Sequence, residues 1–198
     1  MEVYSTAMSQ HPSAPLLAQL RAGKESTRIR LARNVALRAG VASELAARLT
    51  STDRPLVRWL LEQEAAYLRA RGHGVTETLL TLVAALARFG QPEDTLLLWC
   101  AREATPETRC GVEVEQALRA GPERVRVYLS GLAPDTGPIA REARAALDWI
   151  ESGIAAGAAD DLPGYFHWAD ERFGLRVSGP TCHFNGSAAC AAALAPGH

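Results

Sequence analysis

The stretch from Thr76 to Gly121 constrains the fold more than any other part of the chain. Leu79, Leu82, Val83 and Leu86 recur at i, i+3, i+4 and i+7, the spacing of one buried helix face. Phe89-Gly90-Gln91-Pro92 breaks that helix, and Leu96-Leu97-Leu98-Trp99-Cys100 then runs apolar without interruption. A helix apolar all round has to be covered on most sides, so the flanking segments are expected to wrap this one. Thr105-Pro106 opens a third helix.

The same punctuation continues in both directions. Ser13 starts a short helix carrying Leu16, Leu17 and Leu20, which ends at Arg21-Ala22-Gly23. A second helix is expected from about Glu25 to Ala39, with Ile29, Leu31, Ala32, Val35 and Ala36 as its stripe and Gly40 as its stop. A third covers Ala42 to Leu49. Ser51-Thr52-Asp53-Arg54-Pro55 combines a capping side chain with a proline in the first turn, and Thr76 is placed to cap the helix after it. Pro92 is followed by Glu93 and Asp94, where the helix dipole favours carboxylates. Gly121-Pro122-Glu123 repeats that opening, and Pro134 to Pro138 is the clearest loop. A helix with Ile139, Ala143, Ala146, Leu147 and Ile150 follows. Asp161 and Pro163 begin the last helix, through Tyr165, Phe166, Trp168 and Phe173. Only Leu175–Ser178 carries a strand signal.

This pattern predicts an all-α protein: a flexible N-terminus over residues 1–12, one helical domain over 13–174, and an extended or loosely ordered tail over 175–198. Short connections favour antiparallel helical hairpins, arranged as a short HEAT-like α-solenoid or an irregular helical bundle. Hairpins spaced by roughly 35–45 residues fit HEAT-like repeats. Leu-Arg-Ala-Gly occurs at Leu20–Gly23, Leu37–Gly40 and Leu118–Gly121 without a fixed period. It reads as helix-termination chemistry, arginine in the last turn followed by a left-handed glycine.

A resemblance rests on part of this region. Leu98-Trp99-Cys100-Ala101-Arg102, Thr108, Gly111-Val112-Glu113 and Leu118-Arg119-Ala120-Gly121 resemble a segment of uncharacterised bacterial HEAT-like helical-repeat proteins. The resemblance is confined mainly to residues 76–121. It implies an α-helical repeat fold and carries no activity over to any residue.

Composition narrows the partners. At 198 residues, 47% hydrophobic, 22% charged and net charge −1, the chain has the make-up of an ordinary globular domain. Nothing global demands nucleic acid or an anionic membrane. Lys24 is the only lysine among 21 basic residues, which reads as coding bias before it reads as an anion site. Residues 1–15 lack the n- and h-regions of a secretory signal, and no run reaches the ~20 apolar residues that span a bilayer. Cys100, Cys110, Cys182 and Cys190 are therefore expected to be reduced thiols in a cytoplasmic protein.

Each candidate for chemistry competes with a packing explanation. Cys182 and Cys190 stand eight apart, and Cys182 adjoins His183, so the tail does not have zinc-ligand spacing; no metal and no cofactor are expected. Gly23-Lys24-Glu25-Ser26-Thr27 lacks the upstream glycine and preceding strand of a phosphate loop. Cys100 sits in an apolar run and reads as buried and inert. Cys110, beside Arg109 in the second turn after Thr105, is the better nucleophile candidate. His167, Asp170 and Glu171 share a helix at spacings suited to an acid/base pair or half a metal site. Arg21, Lys24, Arg28, Arg30, Arg33 and Arg38 form one basic segment, which reads as a solvated face or, alternatively, a nucleic-acid surface through Arg30 and Arg33. Trp59, Trp99, Trp149 and Trp168 fall at core-like spacing.

The function expected from these residues is non-enzymatic: a helical-repeat binding or scaffold protein that recognises a protein or peptide partner on a concave groove. Its expected contact edges are Glu93-Asp94 and Arg102-Glu103, with Arg30 and Arg33 on the basic helix. The alternatives are a bacterial tailoring enzyme with a pocket between helices using Cys110, His167, Asp170 and Glu171, and nucleic-acid binding through Arg21–Arg38.

Overall fold

A computed structural model describes residues 13–176. They form eleven α-helices: α1 (Ala14–Arg21), α2 (Glu25–Ala32), α3 (Val35–Ala47), α4 (Arg54–Arg71), α5 (Glu77–Ala87), α6 (Thr95–Arg102), α7 (Pro106–Gly111), α8 (Val114–Leu118), α9 (Pro122–Leu132), α10 (Pro138–Ala155) and α11 (Leu162–Arg172). Short 3₁₀ turns over Ser51–Asp53 and Pro92–Asp94 lead into α4 and α6. No strand occurs among the described residues; the all-α expectation holds. Arg176 makes two backbone hydrogen bonds, its N–H to the Ala46 carbonyl and its carbonyl from the Leu49 N–H. The expected N-terminal segment 1–12 and the tail beyond Arg176, with the Cys182–His198 chemistry, lie outside the described residues.

The centre is α5. Thr76 caps it, its hydroxyl oxygen accepting from the Leu79 N–H at 3.1 Å. Every residue from Leu79 to Ala87 except Leu80 is buried. It packs against α3, α4, α6 and α8, so the all-round burial expected of the Leu96–Cys100 run belongs to this helix instead. On α6 only Thr95, Leu98 and Ala101 are buried; Leu96, Leu97, Trp99 and Cys100 remain half-exposed. Consecutive helices α4 and α5 pack as one pair and α9 and α10 as another, with α10 also lying on α6 and α8. On α4, Leu56, Val57, Leu60, Leu61, Ala65 and Leu68 form the buried stripe. Each large aliphatic side chain there contributes about 1.5–3 kcal/mol by leaving water.

The N-terminal third corrects the expected boundaries. The helix predicted over Glu25–Ala39 is two helices, because Asn34 is extended and its side-chain oxygen accepts from the Leu37 N–H at 3.0 Å. Helix α3 then runs straight through Gly40, the residue expected to stop it. A β-carbon at Gly40 would lie 2.3 Å from Ser13 Oγ, so glycine is there to let the start of α1 approach α3. Gly23 and Gly121, in the other two Leu-Arg-Ala-Gly sequences, do end helices with positive φ.

Buried ion pairs tie the layers together. Arg38, 1% exposed, donates from Nε to Glu64 Oε2 at 2.9 Å and from Nη1 to the Leu31 and Ala32 carbonyls at 3.0 and 2.9 Å. Thr76 donates to the other Glu64 oxygen at 2.8 Å. One network thus satisfies the end of α2 and links α3, α4 and the start of α5. Asp53 receives Arg21 and Thr50. Burial alone would raise its carboxyl, but those hydrogen bonds outweigh it and hold it below the usual aspartate range. The stability this supplies is present above the ordinary aspartate pKa and is lost as pH falls through the lowered one.

Candidate functional site

Several expected site residues turn out to be structural. Asp94, offered as a contact edge, is 1% exposed. It accepts two hydrogen bonds from Arg54, each 2.9 Å, and another from Arg58, so it pins the start of α4 to the turn before α6. Only Glu93 of that pair is exposed. The basic segment is similarly depleted: Arg21 is held by Asp53, Arg38 is buried on Glu64, and Arg28 lies over Trp59 at 5.6 Å. Arg30 and Arg33 stay exposed.

The acid/base set does not assemble. Asp170 accepts from Arg88 and takes both Arg119 Nη atoms at 2.7 and 2.8 Å. A carboxylate clamped by two arginines is an anchor, and here it fixes α11 to the ends of α5 and α8. His167 and Glu171 face each other at 3.5 Å, both largely exposed. Cys110 is exposed, on a different helix. Cys100, expected to be fully buried, is half-exposed, and burial, followed by Glu142, raises its thiol pKa. Among the described residues no group of His, Cys, Asp or Glu converges as a metal centre would, and no helix is long and apolar enough to cross a membrane.

The concave feature lies elsewhere, where α7 and α8, the middle of α10, and α11 meet. A cleft of about 430 Å³ is lined by residues that include Arg102, Arg109, Cys110, Glu113, Trp149 and Trp168. A second pocket of about 390 Å³, bordered by Gly157, Ala158 and Asp161, adjoins it and shares Glu115, Tyr165 and Trp168 with the first. Three elements of local chemistry shape this groove. The start of α7 is set by the Thr105 cap, whose hydroxyl oxygen accepts from the Thr108 N–H at 3.1 Å while its own hydroxyl donates to the Gly74 carbonyl at 2.7 Å. The α10 side comes close through Gly153, where a β-carbon would lie 2.5 Å from Val114 Cγ1. Helix α11 is capped by Asp161, which accepts from the Gly164 N–H at 3.0 Å.

Its polar end is an arginine on aromatic rings. The Arg102 guanidinium lies 5.5 Å over Trp99 and 5.3 Å over Trp149, whose own rings are 5.7 Å apart. Trp99 is fixed by donating to Glu142 at 2.8 Å. Glu103 accepts from both Arg102 and Arg109, while Arg102 Nε is buried with no hydrogen-bond partner. Of the two predicted contact edges, this one therefore borders the cleft through Arg102.

The other end is aromatic and acidic. Tyr165 and Trp168 pack at 5.5 Å between centroids, and Trp168 is 49% exposed. The Tyr165 hydroxyl is buried with no partner in hydrogen-bonding geometry, although Glu113 is close enough to act on it. Burial first, then Glu113 and Glu115, hold its ionisation above the usual phenol range. None of the four tryptophans expected in the core is fully buried. The sequence reasoning singled out Cys110 and Arg102 but missed Trp149, Tyr165, Trp168 and Glu115 as neighbours in one groove. A signal was present: Tyr165-Phe166-His167-Trp168 puts four ring side chains in succession, and one helix cannot bury them all.

No protein-family model, curated protein or solved structure matches the chain.

Helix α11 brings two of the cleft residues and buries only Ala169 completely. Its docking leans on Asp170, on Arg119 over Phe166 at 4.8 Å, and on Arg172 to Glu77 at 2.8 Å. Asp170→Asn is expected to release α11 before the rest unfolds, since hydrogen bonds between charged groups contribute about 1.5–3 kcal/mol. Amide exchange over 162–172 should speed up roughly tenfold or more while α5 stays protected; uniform acceleration in both helices would contradict this.

Proposed function

We propose that the protein is a non-enzymatic binding protein that takes an extended segment of a protein partner in the cleft between α7–α8, α10 and α11. In this reading the α4–α5 and α9–α10 hairpins are layers of a short HEAT-like stack, and the groove is the surface such layers support. The observation that carries it is the half-exposed Trp168 beside Tyr165, in a solvent-open groove that Trp149 also lines. Exposed tryptophan and tyrosine in a concave setting are the residues that dominate binding energy in interfaces. Two adjoining open pockets suit a chain segment better than a compact metabolite, which takes an enclosed pocket. The enzyme alternative draws less support, because Cys110 lines the cleft while His167, Asp170 and Glu171 do not.

Selection of a random peptide library on the full chain tests the reading. Peptides should be recovered whose affinity falls about tenfold or more on Trp168→Ala, the size of effect typical of a central aromatic contact. Trp168 is exposed enough for circular dichroism to confirm an intact fold. Recovery of no peptides, or of peptides indifferent to both Trp168→Ala and Trp149→Ala, would refute it.

A further inference from the structure

Across this protein, arginines seek aromatic faces. Arg28 lies over Trp59, Arg102 over Trp99 and Trp149, Arg119 over Phe166, and Arg172 over Phe173. Among the described residues Trp168 is the one tryptophan with no guanidinium on its ring, and it is the most exposed of the four. Acidic side chains outnumber basic ones along the groove. Glu103 already spans Arg102 and Arg109 at the far end of the cleft. Glu113, Glu115 and Asp161 line the groove, and none of them forms an ion pair among the described residues, whereas Asp53, Glu77, Asp94, Glu103, Glu151 and Asp170 each hold an arginine.

Resting on the peptide-binding reading above, we propose that the segment taken up is basic, its arginine or lysine side chain lying on Trp168 and Tyr165 between Glu113, Glu115 and Asp161. The complementarity is twofold. A cation on a tryptophan face is attracted by the ring quadrupole. Among the described residues none of the three carboxylates is paired with an arginine, so all three can supply counter-charge to that cation. An acidic segment would meet the same carboxylates as like charges, so the groove discriminates by repulsion as well as attraction.

The test is isothermal titration of the full chain with an oligo-arginine peptide, with an oligo-glutamate peptide of equal length for comparison. Oligo-arginine should bind and oligo-glutamate should not. The Glu113→Gln/Glu115→Gln double variant should weaken oligo-arginine about tenfold, and Trp168→Ala by a similar factor. Glu25→Gln/Glu62→Gln removes the same charge from exposed positions outside the cleft and should leave affinity within about twofold. Equal weakening in that control would reduce the effect to general charge and overturn the proposal, as would tighter binding of oligo-glutamate or no binding of oligo-arginine. The library selection separates this from the broader reading. Trp168-dependent peptides without enrichment of arginine or lysine would overturn the basic specificity while peptide binding stands, and no Trp168-dependent peptide at all would remove both.

Discussion

Glu64→Leu should lower the free energy of unfolding by about 3–5 kcal/mol, the cost of stranding one member of a buried ion pair. The residue left behind would be Arg38, 1% exposed, with its Nε facing an alkyl side chain. Its Nη2 already lacks a partner, so the guanidinium would keep only the Leu31 and Ala32 carbonyls. Thr76 would lose its acceptor too, loosening the cap of the central helix. Denaturant unfolding followed by circular dichroism measures the loss. Arg38→Met/Glu64→Leu removes both charges together and should recover most of it, because the destabilisation comes from the unpaired charge and not from the absence of attraction. A double variant no more stable than Glu64→Leu alone would show that the carbonyl contacts of Arg38 matter more than its partner.

Gly153→Ala reverses sign with its surroundings. In an exposed helix the change would stabilise by roughly 0.8–1 kcal/mol through backbone propensity. Here the new β-carbon would stand 2.5 Å from Val114 Cγ1, 2.8 Å from Cγ2 and 3.1 Å from Cβ. A β-branched side chain has little rotamer freedom with which to withdraw, so overpacking of about 1–3 kcal/mol dominates. The substitution should therefore destabilise the wild-type protein and stabilise a Val114→Ala background, a coupling that a double-mutant cycle reads directly. Gly153→Ala destabilising both backgrounds equally would mean that the α8–α10 approach is not what the glycine serves.

The fold was legible wherever one residue type has one common use. Leu79, Leu82, Val83 and Leu86 marked a buried face and lie at the centre of the molecule. Thr76 and Thr105 were read as caps and serve as caps. Reading failed where one residue type serves two ends. Gly40 resembles a helix stop, but its job is to admit Ser13, and contacts between α1 and α3 leave no mark in local spacing. The Leu96–Cys100 run records apolar surface without saying what covers it, and part of its cover is the Arg102 guanidinium and the Trp149 ring, both on Trp99.

Charged residues were the least legible. Arg38 and Asp94 read as surface, yet their partners are 26 and up to 40 residues away. The candidate cleft shares that difficulty. Its aromatic density was visible in α11, but the groove is an alignment of three separate stretches, set side by side by long-range packing such as that at Gly153 and Asp170.

The modest anchoring of α11 has a thermodynamic consequence for whatever occupies the groove. Tyr165 and Trp168 ride on that helix, so the docked helix and the binding-competent groove are one state. If only a fraction of molecules hold α11 in place, the measured dissociation constant rises by the inverse of that fraction. Ionic strength then acts twice, screening the ligand and screening the Arg88–Asp170–Arg119 clasp. By the same linkage, an occupant that grips Trp168 holds the last helix onto the core.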